Sequence, residues 1–119
     1  MSMVEIPNQP NDTELTWDEM LSEIAALEGS RVAVRVVERH DPEALVAVFR
    51  GHLQPAISDR QPTVVWPVRA SSEDEVDDLE VTGIYLQRER FDSGVKRGDN
   101  SVLVITQGPV IVNIRCLSE

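Results

Sequence analysis

Residues 31–54 read RVAVRVVERHDPEALVAVFRGHLQ, and the fold turns on this stretch. Residues 31–38 are rich in β-branched side chains and alternate in part, as a half-exposed strand does. His40-Asp41-Pro42-Glu43 reads as a turn, because proline presets one of the turn dihedrals. Residues 44–54 then alternate again. Leu45, Ala47, Phe49, Gly51 and Leu53 fall on one face, and Val46, Val48, Arg50 and His52 on the other. Two such runs around a short turn predict antiparallel strands.

Upstream lies one helix. Thr16-Trp17-Asp18-Glu19 is a capping box with Thr16 as N-cap and Glu19 at N3, and Leu15 and Met20 are spaced for a hydrophobic staple. Trp17, Met20, Leu21, Ile24 and Leu27 recur at helical spacing and make one apolar stripe. Asp18 and Glu19 favour the positive end of the helix dipole. Gly29 sits where a left-handed C-terminal cap is wanted. The pattern predicts a helix over 17–28. Residues 1–14, with Pro7, Asn8, Pro10, Asn11 and Asp12, predict a flexible arm, which leaves 15–119 as one domain.

Downstream, 55–62 predicts a loop, 63–68 a short strand, and 71–80 a loop or a single helical turn. Residues 80–91 predict a long strand with Gly83 at a bulge, and 92–100 a turn. Residues 101–106 and 109–116 predict a hairpin across Gln107-Gly108. The sum is a mainly β (α+β) chain: a small antiparallel β-barrel of five to six strands with one N-terminal α-helix. Closure of such a barrel removes exposed sheet edges.

Composition sets the outer limits. A chain of 119 residues fits one domain. Apolar residues are 41% and aromatics 4%, so the core must be aliphatic. The net charge of −10 is unevenly placed: residues 1–30 hold seven acids and no base, and residues 71–80 six acids and no base. The rest of the chain is therefore slightly basic, and the overall acidity argues against a nonspecific polyanion binder. Cys116 is the only cysteine, so no intrachain disulfide forms and no zinc cluster is expected. No apolar run reaches the roughly 18–20 residues that span a bilayer, and the first residues do not read as a signal peptide. The cytoplasm is the expected compartment.

Few residues point to chemistry. His40 beside Asp41 and Glu43 lies in a turn whose side chains diverge, so no metal site is expected. The acidic run 72–80 lacks the glycine and ligand period of a calcium loop. No nucleotide or phosphate-loop pattern appears, so no cofactor is expected. Arg50, His52, Tyr85 and Gln87 are polar groups on strands that could converge in a barrel mouth, as pocket candidates. Arg88, Arg90, Lys96 and Arg97 lie within ten residues, with Arg88 and Arg90 on one face of the expected strand, and form a candidate anion-binding patch.

The order of elements resembles the Sm-like small barrels. The junction Leu27-Glu28-Gly29-Ser30-Arg31-Val32-Ala33-Val34 resembles that family's entry from helix to first strand. Phe49-Arg50-Gly51-His52-Leu53 is similar to its glycine-containing second strand, and Ile105-Thr106-Gln107-Gly108-Pro109-Val110-Ile111 to its late glycine turn. The resemblance covers about a third of the chain and implies ring-shaped homo-oligomers that bind RNA. Gln107 stands where the family usually has arginine, and the Asp–Met–Asn loop is missing after Leu53; both are the family's RNA-contacting positions.

The first expectation for function is a non-catalytic protein-interaction or self-assembly module, with another protein or a second copy as partner. The alternatives are RNA binding by an Sm-like barrel, through the Arg88–Arg97 patch, and a small-ligand or enzymatic barrel using Arg50, His52 and Tyr85.

Overall fold

The structure, a computed structural model, describes residues 12–57, 63–69, 83–98 and 101–117. The capping box forms as the sequence predicts. The Thr16 amide donates to Glu19 Oε1 at 2.8 Å, and Thr16 Oγ1 accepts from the Glu19 amide at 3.2 Å. It starts helix α1, Trp17–Ala25, which buries Trp17, Met20 and Ile24. The helix stops three residues short of the expected end. The amides of Leu27, Glu28 and Ser30 there donate to the carbonyls of Ile24, Ala25 and Leu27, a tighter winding typical of helix ends. Gly29 follows with φ +90°, the left-handed conformation expected of it.

Eight strands form one curled, half-barrel antiparallel sheet. They are β1 Thr13–Leu15, β2 Arg31–Glu38, β3 Asp41–Leu53, β4 Thr63–Arg69, β5 Gly83–Gln87, β6 Phe91–Lys96, β7 Leu103–Gln107 and β8 Val110–Cys116. Their order is β1-β6-β7-β8-β2-β3-β4-β5. The sheet is thus two meanders, β2 to β5 and β6 to β8, joined where β8 pairs with β2.

The mainly β class with one helix stands, while the strand count rises from the expected five to six to eight. The two unexpected strands are β1 and β6, and they pair with each other, Leu15 opposite Gly94. β1 becomes a strand only by meeting β6, some eighty residues on, whereas β6 lies between β1 and β7 and pairs with both. The turn expected over 92–100 is therefore largely β6, and the arm expected over 1–14 ends in β1; residues 1–11 lie outside the described residues. The strand expected over 80–91 ends at Gln87. Arg88–Arg90 is a 3-10 turn that swings the chain round so that Phe91 meets Trp17 edge-on, with ring centroids 5.5 Å apart. The acidic run 71–80 also lies outside the described residues. The expected barrel closure is a second correction: among the described residues β5 and β1 stand at the two ends of the sheet and do not pair with each other.

The core is aliphatic, as composition requires. Val32, Val34, Leu53, Ile84, Leu86, Leu103, Ile105 and Ile114 pack with Trp17 and Trp66 inside the curl. The Trp66 indole N–H donates to Glu28 Oε2 at 2.8 Å, which ties β4 to the segment leaving the helix. Ala47, Phe49, Gly51 and Leu53 share one face as predicted, the inner one, but Leu45 does not join them. A bulge at Val46 puts Ala47 opposite Val36 and Leu45 opposite Val37, so Leu45 moves to the outer face. Gly51 has its own reason: a Cβ there would lie 2.3 Å from the Arg69 carbonyl oxygen, where β4 crosses β3.

Candidate functional site

A curled sheet that does not close leaves strand edges, and each edge carries backbone donors and acceptors that want partners. The β5 edge has found them in one side chain. Gln107, at the end of β7, is the buried polar residue among the described residues, 7% exposed. Its Nε2 donates to the Tyr85 carbonyl at 2.7 Å, and its Oε1 accepts from the Gln87 amide at 3.0 Å. The carbonyl of one strand residue and the amide two residues on point the same way. A primary amide spans that gap as a neighbouring strand's peptide group would. The next amide, Gly108, donates to the Arg90 carbonyl at 2.9 Å. Gln107 and Gly108 therefore clasp β5 and the 3-10 turn to the β7–β8 turn.

The β3 edge has no such answer. β4 pairs with β3 only at His52 and Leu53. From Asp41 to Arg50, among the described residues, that edge of β3 has no strand beside it. Residues 44–49 of this edge, ALVAVF, carry no charge. Leu45, Val46 and Val48 are more than half exposed. Val37, opposite Leu45, is buried although it stands outside the main core cluster. The outer face of the sheet thus has an aliphatic patch of its own.

Beside this patch the register gathers bases that are scattered in the sequence. On the outer face, Arg50 lies opposite Ala33, and Ala33 in turn faces Arg115. Arg35 stands between Val48 and Asn113. His52 stands between Arg31 and Arg69. All five arginines are exposed. None of the five has an ion-pair partner among the described residues.

The residues singled out from sequence are placed differently. Lys96 pairs with Glu23 at 3.2 Å, and the Arg97 guanidinium approaches Asp12 at 3.6 Å. Asp12 also accepts from the Gly98 amide at 2.8 Å, so this end of β6 is fastened to the start of β1. Arg88 and Arg90 sit in the 3-10 turn, where two-residue spacing no longer gives a shared face. The four do not form one patch of unpaired bases. Tyr85 and Gln87 line a cleft of about 310 Å³ with Arg90, Gln107 and Val110, at the clasp. Arg50 and His52 are not part of its wall; they belong to the arginine face of the sheet. The pocket candidates are thus divided between two places. Sequence reading missed Arg31, Arg35, Arg69, Arg115 and Gln107. The shared parity of Arg31, Ala33 and Arg35 in one strand was a signal for part of the face, but which strands flank it was not.

Among the described residues the cleft wall offers a guanidinium, a phenol, the Thr63 hydroxyl and amides, groups that can hydrogen-bond a ligand. Among the described residues, no group of three or more His, Cys, Asp or Glu is placed to hold a metal ion. No described helix is long and apolar enough to cross a membrane. Compared with protein-family models, with curated proteins and with solved structures, the chain matches none.

Proposed function

We propose that the chain is a non-catalytic protein-interaction module that docks an extended segment of another polypeptide on the open edge of β3. The observation that carries this reading is the uncharged run 44–49 on a strand edge that has no neighbour among the described residues, with Leu45, Val46 and Val48 more than half exposed. Soluble proteins blunt such edges with charges, prolines or very short strands. Here Pro42 and the charges of Asp41, Glu43 and Arg50 stand only at the ends. Strand addition draws its affinity from main-chain hydrogen bonds and its selectivity from neighbouring side chains. The nucleic-acid alternative has less behind it, because Lys96 and Arg97 of the expected patch are already engaged by acids of the same chain.

The test is a photo-crosslinking phenylalanine placed at Val46 in the cells that make the protein, with the same residue at the exposed Glu89 as control. One specific protein adduct at position 46, missing at 89, is the expected result. Equal labelling at both positions, or none at 46, overturns the reading.

A further inference from the structure

We infer that the segment docked on β3 is acidic: an extended peptide in which carboxylates alternate with apolar side chains. This deepens the docking reading and rests on it. The outer face next to the open edge holds Arg31, Arg35, Arg50, Arg69 and Arg115, all exposed and none with an ion-pair partner among the described residues. They gather in a chain whose net charge is −10. Like charges this close repel one another, and an anionic partner relieves that repulsion.

The geometry favours a strand as the carrier of those anions. An added strand lies about 4.8 Å from β3, and its side chains on one face repeat about every 6.8 Å. That is the repeat of Val48, Arg50 and His52 on β3 itself. Carboxylates at this spacing fall beside Arg50, with Arg69 at one end and Arg35 one strand further in. Arginine takes a carboxylate through two parallel N–H donors, so each contact is directional as well as attractive. The alternate side chains of the same peptide turn to the inner face, next to the half-buried Ala47 and Phe49, and should be apolar.

A nucleic acid fits this face less well. Among the described residues, the neighbours of the arginines on β2, β3 and β8 are Ala33, Val48, Asn113 and His52, with no Phe, Tyr or Trp among them on which bases would stack. A long polyanion would also meet the acidic remainder of the protein. A short acidic segment confines its charge to the arginines, since screening limits reach to about 8 Å at physiological salt.

The experiment titrates a fluorescent peptide of alternating glutamate and valine with the whole purified chain and reads anisotropy. Expected are binding that weakens as salt rises, and a loss of about tenfold or more in affinity for Arg50→Glu, where an attractive charge becomes a repulsive one. Arg35→Glu should weaken binding further, and Arg88→Glu, on the distant 3-10 turn, should leave it unchanged. Unaltered circular dichroism of each variant excludes misfolding as the cause. The inference is overturned by any of four results: no binding by the parent chain, equal binding of a lysine–valine peptide, no effect of Arg50→Glu, or tighter binding of a uridine oligonucleotide of equal charge. The crosslink at Val46 separates the two levels. An adduct that persists when Arg35 and Arg50 are both glutamate keeps the docking reading and removes the acidic partner. Loss of the adduct from the parent chain removes both.

Discussion

Two edges of one sheet meet opposite fates in this protein. At β5, two backbone groups that would face solvent are bound by the amide of Gln107, at 2.7 and 3.0 Å. At β3, a longer edge runs past three exposed aliphatic side chains with no strand beside it among the described residues. The difference teaches that the fold can close an edge with a single side chain. Among the described residues the β3 edge is left open over a run that a single charged residue would have blunted. It also lies next to five arginines without ion-pair partners among the described residues, whereas the cleft at the clasped edge has one arginine in its wall, Arg90.

The contrast breaks first where β3 stops being open. Gly51→Val pushes a side chain into the Arg69 carbonyl, from which a Cβ would stand only 2.3 Å away, and β4 must lift off β3. The expected cost is about 3 kcal/mol or more, read by urea unfolding. An unchanged midpoint would mean that β4 does not cross there. The clasp comes next. Gln107→Ala leaves the Gln87 amide and the Tyr85 carbonyl without their partner, at an expected cost of about 1–3 kcal/mol. Amide exchange followed by NMR should quicken at Gln87 more than at residues of β2, and uniform quickening would deny the clasp its local role. The smallest effect on stability belongs to the open edge. Val48→Glu, at a side chain 56% exposed, should shift the unfolding free energy by less than about 0.5 kcal/mol while removing the crosslink at Val46. A large loss of stability would show that Val48 serves the fold rather than a partner.

Much of the local structure could be read from the residues. Thr16 and Glu19 announced the helix start, Gly29 its left-handed exit, and the alternation of 31–38 the strand that became β2. The inward face of β3 was legible from Ala47 to Leu53 and failed at Leu45, because a one-residue bulge reverses parity and leaves no mark in composition. β1 and β6 were missed because Thr13-Glu14-Leu15 and Phe91-Asp92-Ser93 have no hydrophobic period of their own; β1 is a strand through β6, and β6 through β7 and β1. The reading of Arg88 and Arg90 as neighbours on one face depended on a strand that ends one residue earlier, at Gln87.

By itself, then, the sequence determined one capped amphipathic helix, a mainly β chain and an aliphatic core. These follow from contacts within a few residues and from the kinds of side chain available. Tertiary structure alone decided that the sheet stays half-open, that Gln107 closes one edge and nothing described closes another, and that Arg31, Arg35, Arg50, Arg69 and Arg115 share a face. The reason is register. Residues separated by up to 84 positions become neighbours only when strands from distant parts of the chain align, and alternation within each strand fixes its two faces but not the strand that will lie beside it.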